Sequence, residues 1–237
     1  MPNKPNILIL TAQTGGGHLS LAEALKELLQ QNYAVTIADM LPSFFHHHYR
    51  FAGHHALWMW AVEFHLSNDH KRAVLSQRAL APVIASRLKR ALDEIQPAMV
   101  ITTHSLLSHS VKQVMKEHTP GIPLGMLFSD PYSVHETWFS ELNVEASFAP
   151  TRESHELALA AGFDPSRLHI VGWPVRKQFY QADGKKRDEV LRSIELEPDR
   201  FTVFLQGGGD GATNYWSVYW RSIGISRLYF RRGQMWG

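Results

Sequence analysis

The sequence predicts an α/β protein built on a doubly wound parallel sheet. Three observations carry this. Short apolar runs recur along the chain, and most are followed by a stretch with helical spacing. The first run, residues 7–10, has no polar residue, the habit of a strand buried on both faces. Gly15, Gly16 and Gly17 then separate that run from a helical pattern, an order that suits ligand binding at the end of a parallel strand.

The elements follow in order. Leu21, Ala22, Leu25, Leu28 and Leu29 recur at helical spacing after the glycines. Residues 33–38 read as a second strand ending at Asp39. Residues 44–64, rich in aromatics and histidine, read as mostly helical. Residues 70–95 form a long helix with an expected break near Pro82. A third strand over 99–102 leads to a helix over 106–117. Strands four to six cover 123–128, 144–149 and 168–171. Between the last two, Thr151 caps a helix that Gly162 ends, without a full capping box because no Glu or Gln stands three residues on. A short helix over 185–194 precedes a seventh strand over 201–205.

The 237 residues suffice for one large or two small domains. The formal charge of +2 is too small to argue for a nucleic-acid partner. Without cysteine there is no disulfide and no thiolate metal site, which suits a reducing compartment. The opening residues predict no secretory leader, and no apolar stretch is long enough to span a bilayer.

The glycine loop admits two chemistries. A helix N-terminus behind glycines offers free N–H groups and partial positive charge to an anion. Gly15, Gly17 and Ser20 occupy the positions of G-x-G-x-x-G, with serine at the third, and Asp39 lies about where a ribose-binding acid belongs. A nicotinamide-dependent oxidoreductase is therefore one reading. His18 points to another. The helix dipole disfavours imidazolium, so the ring stays neutral and able to take a proton from a hydroxyl.

Together, "TGGGHLSLAEAL", the segment from Asp130 to Phe139 ending in His-x-Thr-Trp-Phe, Pro150-Thr151, Gly172-x-Pro174-Val175-Arg176 and "LQGGGDGA" resemble the diacylglycerol glycosyltransferases. That family comprises monogalactosyldiacylglycerol synthases and processive diacylglycerol glucosyltransferases. The resemblance covers roughly residues 5–213. It implies the N-terminal, Rossmann-like half of a two-domain GT-B glycosyltransferase. An acceptor domain would span 1–180, a linker and the start of a donor domain 181–213, and an atypical tail 214–237. The implied reaction moves a hexose from UDP-glucose or UDP-galactose to diacylglycerol, with no cofactor and no metal. His18 and Asp130 are the implied catalytic pair. Gly15, Gly16, Gly17, His135 and Trp138 would bind the acceptor, and Gly207, Gly208 and Gly209 the donor diphosphate.

The implied partners are diacylglycerol, a UDP-sugar once a complete donor domain is supplied, and an anionic membrane surface. The implied location is cytoplasmic, on the inner face of the membrane. Phe44, Phe45, Tyr49, Phe51, Trp58, Met59, Trp60 and Phe64, with Lys71 and Arg72 following, form the expected membrane-facing element. The region's seven histidines lack metal-ligand spacing. The tail combines Trp, Tyr and Arg with no acidic residue after Asp210, which reads as a lost or frameshifted continuation of the donor domain. A chain so cut would be inactive alone, and a non-catalytic lipid-binding fragment is the alternative.

Overall fold

A computed structural model describes residues 4–12, 16–181 and 184–201. Gly15, Gly207, Gly208, Gly209, the seventh predicted strand beyond residue 201 and the tail lie outside the described residues.

Six parallel strands form one sheet: β1 (Asn6–Thr11), β2 (Ala34–Asp39), β3 (Met99–Thr102), β4 (Leu124–Leu127), β5 (Ala146–Ala149) and β6 (Leu168–Ile170). Their spatial order is β2-β1-β3-β4-β5-β6. The expected doubly wound α/β sheet is therefore present, and its order reverses between β1 and β3. Register pairs Leu10 with Thr102 and Thr11 with Asp39, so the carboxyl ends of these strands lie level.

Helices α1 (Gly16–Leu29), α2 (Ser43–His55), α3 (Leu57–Ser67), α4 (His70–Ile95), α5 (Ser108–His118), α6 (Arg152–Ala160) and α7 (Arg187–Ser193) complete the frame. β1 shows why its sequence lacks polar residues. Leu8 and Leu10 join a core with α4 and α5, while Ile7 and Ile9 join a second core with Leu21 and Ala22 of α1. α4 presents Leu80, Ile84, Leu88 and Leu92, all buried, to the larger core. Their burial contributes roughly 6–12 kcal/mol of gross transfer free energy.

α4 does not break at Pro82. Pro82 and Arg78 both lie on the exposed side, so the Arg78 carbonyl that loses its helical donor faces water. The aromatic stretch, in contrast, is not one helix: Ala56 at φ −144° and ψ 55° separates α2 from α3. α6 corrects another expectation. A reciprocal capping box is present, because Ser154 Oγ takes the place of the usual carboxylate and accepts the Thr151 N–H while Thr151 Oγ1 accepts the Ser154 N–H. Gly162, at φ +101°, ends α6 as expected. The Phe163 N–H bonds the Ala158 carbonyl and the Gly162 N–H bonds the Leu159 carbonyl, which closes the helix.

Candidate functional site

In an open parallel sheet, ligands bind beyond the carboxyl ends of the strands where the order reverses. Here that place lies between β1 and β3. Gly16 and Gly17 open α1 there, and a Cβ at Gly17 would meet nothing within 4 Å, so the helix start faces open space. His18 follows, half-buried. Its Nδ1 lies 2.9 Å from the carbonyl of Thr103, just past β3. A carbonyl only accepts, so Nδ1 carries the hydrogen and neutral His18 keeps its lone pair on Nε2. Burial pushes the His18 pKa below the ordinary imidazole range, against the opposing pull of the Thr103 carbonyl and the Asp130 charge. The ring is thus neutral, with a defined basic nitrogen.

Asp130 lies just past β4, one strand further along. Three donors orient its carboxylate. Ser129 Oγ reaches Oδ1 at 3.1 Å, and the His135 N–H and Trp138 Nε1–H reach Oδ2 at 3.2 and 3.1 Å. Trp138, expected to line the acceptor cleft, has no exposed surface; it packs on Phe128 and holds Asp130 from within the core. His135 is also engaged. Its Nδ1 accepts the Thr137 N–H at 3.2 Å, and its Nε2 lies 3.3 Å from Ser67 Oγ and 3.4 Å from the Phe64 carbonyl. Phe64 packs edge-on against the same ring at 4.7 Å. His135 therefore ties α3 to the loop that carries Asp130.

Two further residues are absent from the sequence reading. His104 lies against His18 with ring centroids 4.1 Å apart and the planes tilted by 43°, and it is buried. Burial holds its pKa well below the ordinary range, and the neighbouring His18 pushes in the same direction. Gln77 of α4 is fully buried. Its Nε2 donates to the carbonyls of Ser105 (3.0 Å) and Thr137 (2.7 Å), and its Oε1 accepts the His109 N–H (2.7 Å). One amide thus joins α4, the β3 loop, α5 and the segment containing Trp138. A sequence signal for His104 existed: it stands two residues past β3, as a histidine also follows β1. Gln77 gave none, since a lone Gln in a helix is ordinary.

Asp39 is committed elsewhere. Its Oδ1 accepts the Leu41 N–H at 3.1 Å, and His46 Nε2 stands 3.1 Å from its Oδ2. The carboxylate thus sits in the turn after β2 beside His46, and a ribose-binding role is not favoured. Among the described residues, no cluster of three His, Asp or Glu could hold a metal. An apolar groove of about 780 Å³ lies on the α1 face, lined by Leu25, Leu29, Ile101, Phe148, Trp173 and Phe179 among others. Among the described residues its lining includes neither His18 nor Asp130, and Tyr33 and Tyr180 are the ionisable ones.

The two buried imidazoles set a pH response. Unfolded histidine titrates near 6.5, whereas native His18 and His104 titrate lower. Above about pH 6.5 both are neutral in either state, and their contribution to stability is fully present. Below it, the unfolded chain binds protons that the native fold refuses. Stability then falls by up to ~1.4 kcal/mol per pH unit per histidine, until the native pKa is reached. Urea unfolding should therefore show a lower midpoint at pH 5 than at pH 7, with a shallower decline for His104→Phe. Equal slopes in both proteins would show that His104 carries no such linkage.

The family model described as monogalactosyldiacylglycerol (MGDG) synthase matches residues 18–175, which include His18, His104, Asp130 and Trp138. "Probable monogalactosyldiacylglycerol synthase 2, chloroplastic" from Oryza sativa subsp. indica is 30% identical over 219 residues, covering 87% of this chain and 46% of that protein. "Monogalactosyldiacylglycerol synthase 2, chloroplastic" from Arabidopsis thaliana is 29% identical over the same shares. The chain thus spans about half the length of the curated relatives it matches. A UDP-GlcNAc 2-epimerase from Neisseria meningitidis superposes with a TM-score of 0.43 at 14% identity, over 71% of this chain and 46% of that one, a likeness too weak to argue from. A helix-start histidine at the sheet's switch point, the Asp130 loop and the match across both lead to one assignment: the chain belongs to the monogalactosyldiacylglycerol synthase family.

Proposed function

We propose that this chain supplies the acceptor side of a transferase that moves a hexose from a UDP-sugar to the free hydroxyl of diacylglycerol. The observation that carries the reading is the neutral His18, whose Nδ1–H is committed to Thr103 and whose Nε2 is left basic at the switch point of the sheet. In the transfer, the hydroxyl oxygen forms a bond to the anomeric carbon as that carbon's bond to the β-phosphate oxygen breaks. UDP leaves with the electron pair. The hydroxyl proton passes to His18 Nε2, and the negative field of Asp130 favours the imidazolium that results. Residues 1–180 act as the acceptor domain in this reading, and the donor diphosphate belongs to the segment that contains Gly207, Gly208 and Gly209. The family match favours galactose as the hexose.

The acceptor is delivered from a membrane surface. No helix among the described residues is long and apolar enough to cross a bilayer. Yet Phe44, Phe51, Trp58, Val62, Phe64 and Leu66 of α2 and α3 are all exposed. Apolar side chains so placed fit the headgroup boundary, and Arg50, Lys71 and Arg72 supply positive charge for anionic lipid. The contacts of His135 with Phe64 and Ser67 then connect this lipid-facing helix to the Asp130 loop.

A diacylglycerol carrying a photoreactive acyl chain tests the acceptor side. Cross-links should map to α3 and to residues 130–140, and hexose transfer from UDP-galactose should be measured beside them. Cross-linking without transfer would favour a non-catalytic lipid-binding role, and labelling spread over the whole surface would remove the reading. Vesicle sedimentation tests the membrane side. Binding to anionic vesicles should weaken with salt. The double substitution Phe51→Ser and Trp58→Ser should lower partitioning by at least about tenfold, as two aromatic side chains lose apolar burial. Unchanged partitioning would place the membrane contact elsewhere.

A further inference from the structure

We propose that His104 is a positioning residue for His18: its buried ring is the wall against which the His18 imidazole is held in one orientation and one tautomer. This inference rests on reading His18 as the base, and it concerns a residue that takes no part in the proton transfer itself.

The geometry builds the wall from the sequence upward. β3 ends at Thr102, and the chain turns at once. The Thr102 hydroxyl donates to the His104 carbonyl at 3.2 Å, and the His104 N–H reaches the same hydroxyl oxygen at 3.3 Å. These contacts fix the backbone of the turn. The His104 ring is fixed separately, because its Nδ1 accepts the Leu106 N–H at 3.2 Å. A neutral ring that accepts at Nδ1 carries its hydrogen on Nε2, the opposite tautomer to that of His18. The Gln77 bond to the Ser105 carbonyl anchors the next residue of the turn.

The His18 ring meets that surface at 4.1 Å with an interplanar angle of 43°. The neighbouring Thr103 of the same turn supplies the carbonyl that holds His18 Nδ1. A hydrogen bond alone leaves an imidazole free to rock about its bond to the chain, and a flat neighbour on one face removes that freedom. The buried ring also excludes water from that face, which keeps His18 neutral. Of the groups facing His18, Asp130 from the β4 loop opposes this, and the His104 ring from the β3 loop, itself held neutral by burial, brings no charge to it. α1 has no acidic residue in its first turn. A neutral aromatic ring serves as the wall; a charged one at 4.1 Å would suppress the basicity that the reaction needs.

Two substitutions in the full chain separate the ring from its hydrogen bond. His104→Asn keeps a side-chain oxygen that can accept the Leu106 N–H but removes the flat surface. His104→Phe keeps the flat surface and loses the acceptor. Long-range ¹H–¹⁵N spectra of histidine-labelled protein report the His18 tautomer and its titration directly. The wild-type protein should show His18 as a single Nδ1–H form that titrates below free histidine. His104→Phe should preserve both signals. His104→Asn should lose the single-tautomer signal, and its titration should move up toward that of free histidine. The inference is overturned if His104→Asn leaves both signals at their wild-type positions, or if His104→Phe moves them as far as His104→Asn does. These signals come from His18 in the resting chain, so they stand or fall separately from the transfer assay that tests His18 as a base.

Discussion

In the transferase completed by a donor domain, substituting His18 by Gln is expected to lower the rate of hexose transfer to diacylglycerol by about 10²–10⁴-fold, the usual contribution of a positioned general base. Gln is close in size to His, and its amide can still donate to the Thr103 carbonyl. It cannot take a proton, so the loss should fall on kcat and leave the acceptor KM nearly unchanged. The pH dependence should carry the same signature. The base must be neutral to act, and burial holds native His18 below the ordinary imidazole range. The acid limb of the wild-type profile should therefore lie below about pH 6.5 and vanish in the variant. Steady-state transfer from UDP-galactose to dioleoylglycerol in mixed micelles measures both. A variant within tenfold of wild type would remove His18 from the proton transfer.

The largest effect on stability is expected at Gln77. Gln77→Leu preserves shape but removes one acceptor and both donors of a fully buried amide. The carbonyls of Ser105 and Thr137 and the N–H of His109 lose the Gln77 amide together, and the Ser105 carbonyl keeps the Ser108 hydroxyl at 3.3 Å. Each orphaned buried group costs about 1–3 kcal/mol, so the expected loss is about 2–6 kcal/mol from Thr137 and His109 if the two act separately. That is a large share of the ~5–15 kcal/mol by which a domain is stable. The Ser110 hydroxyl bond to the Gln77 backbone carbonyl should survive, because the substitution leaves the backbone in place. Urea unfolding monitored by far-UV circular dichroism gives the difference. A loss below about 1 kcal/mol would mean that neighbours or water satisfy the three groups.

The family's motifs bear on the site unevenly, and the reasons are physical. His18 was legible because glycines, a strand end and a helix start mark its place along the chain without reference to anything distant. Asp130 was legible as the residue that follows an apolar run. Trp138, expected in the acceptor cleft, lies inside the protein, where its partners Phe128 and Asp130 approach it through the fold of the loop. His135 was assigned to the acceptor, yet both of its nitrogens serve local and inter-element contacts.

What the sequence determined by itself was the alternation of elements, the burial of β1 on two faces, the start of α1 at the glycines and the closure of α6 at Gly162. Each depends on residues within about one helical turn or one strand of each other, where propensity and periodicity act directly. The tertiary structure alone decided that Pro82 leaves α4 intact, that Gln77 holds four segments together, and that His104 faces His18 across 86 residues of chain. Those outcomes depend on which face meets water and on which strands lie side by side. In a sheet of order β2-β1-β3-β4-β5-β6, residues distant in sequence become neighbours at the switch point, and local pattern carries no record of that distance closing.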